Sequence, residues 1–203
     1  MFFGPSYNLK TRGMARAIFS LLVDHDLNTA THSYKVEQIA VKFAMKLNLA
    51  PQIIQDISHA AILHDIGKLQ ISQEILNKPG SLSPEEFEIV KKHSEYGFYM
   101  LSHIDEFKNI RSAILYHHEK FDGSGYPEGR KGQNIPLISR ILTIADVFEA
   151  VTSDRPYRQA ISPIEALKII EEGKGTHFDP VLSDVFISLM QSLEVMRGEC
   201  MVN

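Results

Sequence analysis

Apolar residues recur at helical spacing along most of this chain, and long alternating strand patterns are absent. Three helix starts are marked by a capping side chain followed by proline, at Ser83-Pro84, Ser162-Pro163 and Asp179-Pro180. We therefore predict an all-α fold, with helices over residues 9–24, 32–48, 51–66, 83–103, 105–119, 136–151, 162–173 and 179–195.

Size, charge and cysteine content narrow the possible functions. The 203 residues, 44% of them hydrophobic, suit one main domain over 21–195, an N-terminal extension with the first helix over 1–20, and a tail over 196–203. A net charge of −4 argues against binding of DNA or RNA polymers. Cys200 is the single cysteine, which fits a reducing cytoplasmic location. No apolar run reaches the roughly 18 residues of a membrane helix, so we expect no membrane insertion.

The end of one apolar helix carries two polar residues, His64 and Asp65. The residues before them, from Ile57 onwards, are mostly Ala, Ile and Leu, so both side chains are predicted to be largely buried. A buried carboxylate is costly without a cation or several hydrogen-bond donors. Taken alone, the pair fits a hydrogen-bonded core contact better than a metal site.

Further histidines and one further aspartate change this interpretation. Each has an ordinary structural explanation on its own, such as a helix cap, a surface histidine or a core hydrogen bond. Together they give five imidazoles and two carboxylates from five segments of the chain: His32, His64, Asp65, His93, His117, His118 and Asp146.

This set of side chains suits two neighbouring divalent metal ions. Imidazole and carboxylate ligands without cysteine favour Fe, Mn or Zn over a structural zinc–thiolate site, and Ni and Mg are further alternatives. Asp65 has two oxygens and is able to bridge both ions. A metal pair lowers the pKa of bound water and holds a phosphate for in-line attack. We expect Fe or Mn first.

A long glycine-rich loop is predicted over residues 121–135, inside an otherwise helical domain. It contains four glycines and Pro127, and it follows closely after the pair His117-His118. Long loops in compact domains are usually functional or disordered. The aromatic Tyr126 and the neighbouring histidines favour a functional loop.

Several motifs occur in a fixed order along residues 20–195: His64-Asp65-Ile66-Gly67-Lys68, Ile75-Leu76-Asn77-Lys78-Pro79-Gly80, His117-His118-Glu119 with Asp122-Gly123-Ser124-Gly125-Tyr126-Pro127, Ile144-Ala145-Asp146-Val147-Phe148, Asp154-Arg155-Pro156-Tyr157-Arg158, and Gly175-Thr176-His177-Phe178-Asp179-Pro180. This ordered set resembles the HD-GYP family of metal-dependent phosphohydrolases. The resemblance implies an HD-domain helical bundle with a glycine-rich GYP loop, and a cyclic di-GMP phosphodiesterase activity.

The resemblance also implies roles for individual residues. The seven histidines and aspartates above would be the metal ligands. Lys68 would act with Asp65 in catalysis by stabilising charge on the phosphate. Tyr126, Arg155 and Arg158 would contribute to substrate binding. Two simpler roles stay open: surface ion pairs for the arginines, and anchoring of the loop on the core for Tyr126.

The implied reaction is hydrolysis by a hydroxide that bridges the two metals. The hydroxide attacks the phosphorus of one 3′–5′ linkage, the 3′ oxygen leaves, and the ring opens to linear pGpG. Family members with three metals carry glutamate four residues before the first histidine, where this chain has Asn28. We therefore predict two metals and pGpG as product, with conversion to GMP left open. Glu149 stands where the family usually has aspartate.

Two other functions remain alternatives. An HD phosphohydrolase could act on another nucleotide, such as cyclic GMP-AMP. The domain could also be a signalling module that binds a cyclic dinucleotide with weak turnover. Regulation would come from a separate protein or from a homodimer, for which apolar Ile18, Phe19, Leu21 and Leu22 of the first helix could supply a contact.

Overall fold

The computed structural model describes residues 9–154 and 158–200, with side chains through residue 193. This part of the chain forms ten α-helices: α1 (Leu9–His25), α2 (Leu27–Lys46), α3 (Pro51–Leu63), α4 (Gln73–Leu76), α5 (Pro84–Lys91), α6 (His93–Leu101), α7 (Arg111–Leu115), α8 (Leu137–Thr152), α9 (Pro163–Glu172) and α10 (Pro180–Cys200). Three short 3-10 helices lie between them: Ile66–Gln70, Asp105–Phe107 and Gly132–Asn134. Within these ranges an isolated β-bridge joins Lys174 to Phe178 and no β-strand is formed, so the predicted all-α fold is confirmed.

The core forms where α2 packs against α3 and α8, with α10 closing one side. Phe43, Phe148 and Phe186 meet edge-to-face at its centre, with ring centroids 5.0 Å apart for Phe43–Phe186 and 5.2 Å for Phe148–Phe186. Burial of each such side chain contributes roughly 1.5–3 kcal/mol to folding. This packing fixes α2, α3 and α8, which carry much of the polar cluster.

Capping hydrogen bonds form at the three predicted helix starts. Ser83 accepts from the Glu86 N–H, and the Glu86 carboxylate accepts from the Ser83 N–H at 2.7 Å, so the two residues form a capping box. Ser162 and Glu165 repeat this arrangement at α9. Asp179 accepts from two N–H groups in the first turn of α10. The backbone donors at these helix ends are therefore satisfied locally.

The predicted continuous helix over 83–103 is wrong, because the helix is interrupted at Lys92, between α5 and α6. In an unbroken helix the Val90 carbonyl would accept from the main chain of residue 94. Here the His93 side chain donates to that carbonyl at 2.6 Å. The predicted helix over 105–119 is wrong at both ends, because only Arg111–Leu115 is α-helical and Asp105–Phe107 forms a 3-10 helix. After α7, His117 makes the same kind of bond to the Ile114 carbonyl.

Both ends of the described chain are helical. α1 crosses the expected boundary at residue 20 and packs against α2 and α3. α10 continues past residue 195, the last residue of the predicted helix. Among the helices that the structure describes, none combines the length and hydropathy of a membrane span.

Candidate metal centre

Five segments of the fold bring all seven predicted ligands to one place. Two groups of three residues each have ligand atoms within 4.8 Å of one another. We name them the three-histidine centre (His93, His117 and His118) and the mixed centre (His32, His64 and Asp146). They share no residue, and the rings of His64 and His117 lie 5.1 Å apart across the boundary between them.

Asp65 lies between the two centres and contacts both. Its Oδ1 is 3.4 Å from His93 Nε2, and its Oδ2 is 3.5 Å from His64 Nε2. It also forms a third ligand group with His64 and His117. The two oxygens therefore face different centres, which is the arrangement that a bridging carboxylate needs.

Three histidines of the cluster are oriented by carbonyl groups at helix ends. In each, Nδ1 donates to the carbonyl three residues earlier: His64 to Ala61 at 2.7 Å, His93 to Val90 at 2.6 Å, and His117 to Ile114 at 2.6 Å. A carbonyl only accepts, so Nδ1 carries the proton and the Nε2 lone pair is left for a metal. Carbonyls in the last turn of a helix are available because they have no partner within the helix.

The free lone pairs of the three-histidine centre converge. His93 Nε2 is 3.2 Å from His117 Nε2 and 3.1 Å from His118 Nε2. Metal–nitrogen distances of 2.0–2.1 Å in a tetrahedral site would separate the nitrogens by about 3.3 Å. His93 and His117 point lone pairs at each other with no proton to share, so the donor set fits a cation between them.

Burial keeps the three-histidine centre neutral. It lowers the pKa of His93 to about 4 and that of His118 to about 3. Burial and the neighbouring histidines hold the pKa of His117 well below its usual value. Neutral imidazole is the form that binds metals.

The mixed centre carries more negative charge. His32 Nε2 lies 2.8 Å from Asp146 Oδ1, and its Nδ1 bonds to the Glu149 carboxylate. Burial lowers the pKa of His32, but the hydrogen bonds to Asp146 and Glu149 outweigh it and raise the value to about 9. Burial raises the pKa of Asp146, and the contact with His32 more than reverses this, so the carboxyl is ionised.

Asp65 is a buried anion with a lysine partner. Burial opposes its ionisation, but Lys68 and the surrounding histidines hold its pKa well below the usual value. Lys68 Nζ lies 2.7 Å from Asp65 Oδ2 and stays partly open to solvent. The lysine is therefore close both to the cluster and to any ligand that enters from outside.

A close backbone contact sets the position of Asp65. Gly67, two residues later, lies against the start of α6, where an added Cβ would be 1.9 Å from the His93 carbonyl oxygen and 2.5 Å from the Gly97 nitrogen. Because only glycine leaves room for this approach, the Asp65–His93 contact depends on it. The helix predicted over 51–66 ends earlier, at Leu63, and Gly67 lies within the 3-10 helix Ile66–Gln70.

The glycine-rich loop is ordered and supports His118. The Tyr126 ring stacks on the His118 ring with centroids 4.8 Å apart, and Lys91 Nζ lies 5.5 Å from the centroid of the same Tyr126 ring. Buried Glu119 accepts from the Glu128 N–H at 2.8 Å and holds the loop from below. These contacts favour the loop-anchoring role for Tyr126 over base stacking.

A cleft of about 240 Å³ opens onto both centres. It is lined by His32, Asp65, Lys68, His118, Asp146, Ala150 and Arg158. The Arg158 guanidinium donates to the Ala150 carbonyl near the end of α8, which fixes it at the rim of the cleft. Arg155, the other predicted substrate-binding arginine, lies outside the described residues.

One residue of the site could not be interpreted from the sequence. Glu149 is buried and bonds to His32, although it was noted only as a departure from the family pattern. The available signal was its spacing: it follows Asp146 by three residues on an apolar helix, which puts both acids on one face.

Fold and site together define an all-helical domain with histidine and aspartate groups able to bind metal ions. A family model described as HD domain matches residues 16–182. The chain belongs to the HD domain family, whose phosphohydrolases are metal-dependent, and the resemblance predicted from the motifs is confirmed.

The chain spans half or less of the length of the curated relatives it matches. A cyclic di-GMP phosphodiesterase of Thermotoga maritima is 38% identical over 90% of this chain and 50% of its own length. The 3′3′-cGAMP-specific phosphodiesterase 3 of Vibrio cholerae is 39% identical over 84% of this chain and 36% of its own length.

Solved structures share the fold. The HDG"Y"P protein Bd1817 of Bdellovibrio bacteriovorus aligns with a TM-score of 0.66 at 22% identity, over 80% of this chain and 52% of its own. The HD domain of the L. monocytogenes phosphodiesterase PgpH, solved in complex with cyclic-di-AMP, aligns with a TM-score of 0.64 at 18% identity, over 87% of this chain and 96% of its own.

Proposed function

We propose that this chain hydrolyses one 3′–5′ phosphodiester bond of cyclic di-GMP and releases linear pGpG. The observation that carries the proposal is the pair of three-residue ligand groups, with Asp65 between them, at the base of an open cleft. The relatives named cyclic di-GMP phosphodiesterase, at 37–38% identity, support this choice of substrate.

The three-histidine centre and the mixed centre would each hold one divalent ion, with Asp65 shared. Fe or Mn is proposed first, and Zn, Ni and Mg are alternatives, because the ligands are imidazoles and carboxylates without thiolate. When bound, such a pair supplies activated water at neutral pH and neutralises charge on the phosphate.

The chain's own residues then orient the substrate. Lys68 is tied to Asp65 at the cleft wall and would donate to the phosphate oxygen on which negative charge develops. Arg158 at the rim would contact the second phosphate or a guanine edge, as would Arg155. Tyr126 would act indirectly, by keeping His118 in place.

The asparagine at position 28 supports the proposal of two metals and of a reaction that ends at pGpG. It lies in the first turn of α2, one turn before His32, and its side chain is exposed. An uncharged amide is a weaker ligand than the glutamate found there in three-metal members. We therefore propose that the second phosphodiester bond is left intact.

A second substrate is favoured by specific relatives. Three Vibrio cholerae proteins at 35–39% identity are named 3′3′-cGAMP-specific phosphodiesterases. Both molecules are cyclic dinucleotides that differ in one base, so the same metals and Lys68 would serve either. Discrimination would depend on contacts to the base at the rim of the cleft.

The test is a side-by-side assay of anaerobically prepared protein loaded with Fe²⁺ or Mn²⁺. Cyclic di-GMP, 3′3′-cGAMP, cyclic di-AMP and GMP are supplied separately, and the products are resolved by chromatography. We expect pGpG from cyclic di-GMP and no turnover of GMP. Dephosphorylation of GMP with the cyclic dinucleotides intact would contradict the proposal, and tight binding without turnover would favour a signalling module.

A further inference from the structure

In four histidines of the cluster Nδ1 makes a hydrogen bond, and the partner of His32 is of a different kind from the other three. His64, His93 and His117 use carbonyls in the last turn of a helix. His32 lies in the second turn of α2, where every carbonyl accepts from the helix itself. The beginning of a helix has unpaired N–H groups and no unpaired carbonyls. His32 therefore needs an acceptor from another element.

Glu149 of α8 supplies that acceptor. Its Oε2 takes the hydrogen bond from His32 Nδ1, while Asp146, one turn earlier on the same helix, faces Nε2. The imidazole is thus held at both nitrogens by one face of α8. Once Nε2 binds a metal, the Nδ1–H bond to Glu149 is what fixes the ring's orientation.

Glu149 is itself held in place. Ser153 donates to its Oε1 at 2.6 Å, and Lys35 Nζ lies 3.6 Å from the same oxygen. Lys35 also donates to Ser153 at 2.9 Å. The carboxylate side chain is only 3% exposed, so its charge is balanced by this chain of contacts rather than by water.

From these contacts we infer that Glu149 is a positioning residue that sets the metal affinity of the mixed centre and leaves the three-histidine centre unaffected. The inference rests on the proposed two-metal function. Glu149 would act through His32 without touching substrate or metal, and the two centres should respond differently to its substitution.

The experiment is an equilibrium titration of metal-free protein with Mn²⁺ alone, with free Mn²⁺ measured by electron paramagnetic resonance. Wild type should bind two ions per chain. E149Q keeps the size but removes the charge, and E149D keeps the charge but withdraws it by one methylene. Each should weaken one ion by about 10–100-fold and leave the other unchanged, as is typical of partners that orient a ligand.

Two further variants assign the affected centre. His93→Ala should remove the ion whose affinity E149Q leaves unchanged, so the double variant should bind only the weakened ion. Glu37→Gln is the matched control: Glu37 is on α2, accepts from Ser58, and belongs to no ligand group. It should titrate as wild type does.

The outcomes separate this inference from the proposed function. Less than tenfold weakening in both E149Q and E149D overturns the inference, as does equal weakening of both ions, which would indicate a general role in packing α2 on α8. If the wild type binds only one ion, the two-metal function is wrong. If in addition E149Q leaves the Kd of that ion unchanged, the inference about Glu149 is wrong as well. Failure to cleave cyclic di-GMP affects only the proposed function.

Discussion

At the scale of single residues, the cluster concentrates anions and neutral imidazoles where water is excluded. Asp65 is 2% exposed, and its two oxygens lie near histidines of different centres. A carboxylate in that position is costly unless cations balance it. The Lys68 ammonium lies against Oδ2, so Oδ1 gains most from a bound ion.

Asp65→Asn should therefore release both metals and lower turnover at least about a thousandfold, because several kcal/mol of charge stabilisation are lost. Metal content by elemental analysis and the rate of cyclic di-GMP cleavage measure the two effects. Asp56→Asn is the control, since Asp56 is on α3 and contacts Gln52 and Asn109, away from both centres. Full metal content and rate in Asp65→Asn would refute the bridging role.

The histidines also make stability depend on pH. In the folded metal-free protein the pKa is about 4 for His93 and about 3 for His118, against roughly 6.5 when unfolded. Below pH 6.5 the unfolded chain binds protons first, so the free energy of unfolding falls as pH falls toward those values. The pKa of His32 is raised to about 9, so its contribution is complete below 6.5 and is lost as pH rises through 9.

We expect the free energy of unfolding of metal-free protein to decrease between pH 6.5 and 5, by up to about 1.4 kcal/mol per pH unit for each such histidine. Urea unfolding at several pH values measures this slope. His118→Gln should reduce the slope by up to one proton's share, whereas a flat profile in the wild type would contradict the buried, neutral state of these rings.

The sequence was sufficient to select the seven clustered residues, because acids and histidines at the ends or inside of apolar helices are rare without a partner. It was not sufficient for Glu149. The role of that residue depends on which nitrogen of His32 faces α8, and on the lack of an unpaired carbonyl in the second turn of α2. Both are properties of packing between helices, which residue spacing alone does not determine.

At the scale of elements, the glycine-rich loop is held by very close backbone contact. An added Cβ at Gly125 would lie 2.3 Å from the Lys120 nitrogen and 2.5 Å from the Glu119 Cα. The next residue, Tyr126, stacks on His118 and donates its N–H to the His118 carbonyl at 3.3 Å. Any displacement of Gly125 therefore moves the support of one predicted ligand.

Gly125→Ala should destabilise the fold by about 1–3 kcal/mol, as overpacking against backbone usually does. It should also weaken Mn²⁺ binding at the three-histidine centre. Gly13→Ala is a control of opposite sign: Gly13 is in α1 with open space around it, so alanine should stabilise by about 0.5–1 kcal/mol. Urea unfolding checks both, and unchanged stability in Gly125→Ala would show that the loop has room to shift.

Helix positions could be predicted from periodicity and capping pairs, and six of the eight predicted helices have counterparts without an internal break. The two that differ, 83–103 and 105–119, end at carbonyls taken by His93 and His117. Periodicity reports which face is apolar, but it does not report that a side chain competes for a main-chain acceptor. The site therefore accounts for the early ends of these two helices, at Lys91 and Leu115.

At the scale of the whole molecule, ligands come from α2, α6 and α8 and from the segments that follow α3 and α7. In the unfolded chain these residues are far apart, from His32 to Asp146. A metal ion therefore binds the folded state far better than the unfolded one, and its binding free energy adds to the stability of the fold.

Saturating metal should consequently raise the thermal midpoint. At a free concentration one hundred times Kd, one site adds about 2.7 kcal/mol, which corresponds to roughly 5–10 °C for a domain of this size. Thermal unfolding followed by circular dichroism, with Mn²⁺ and then with a chelator, measures the shift. Asp65→Asn should lose most of the response. The predicted ligands lie on or directly after α2, α3, α6, α7 and α8, so a bound ion would link all five helices. A thermal midpoint of the wild type that does not respond to metal would mean that these ligands do not bind an ion together.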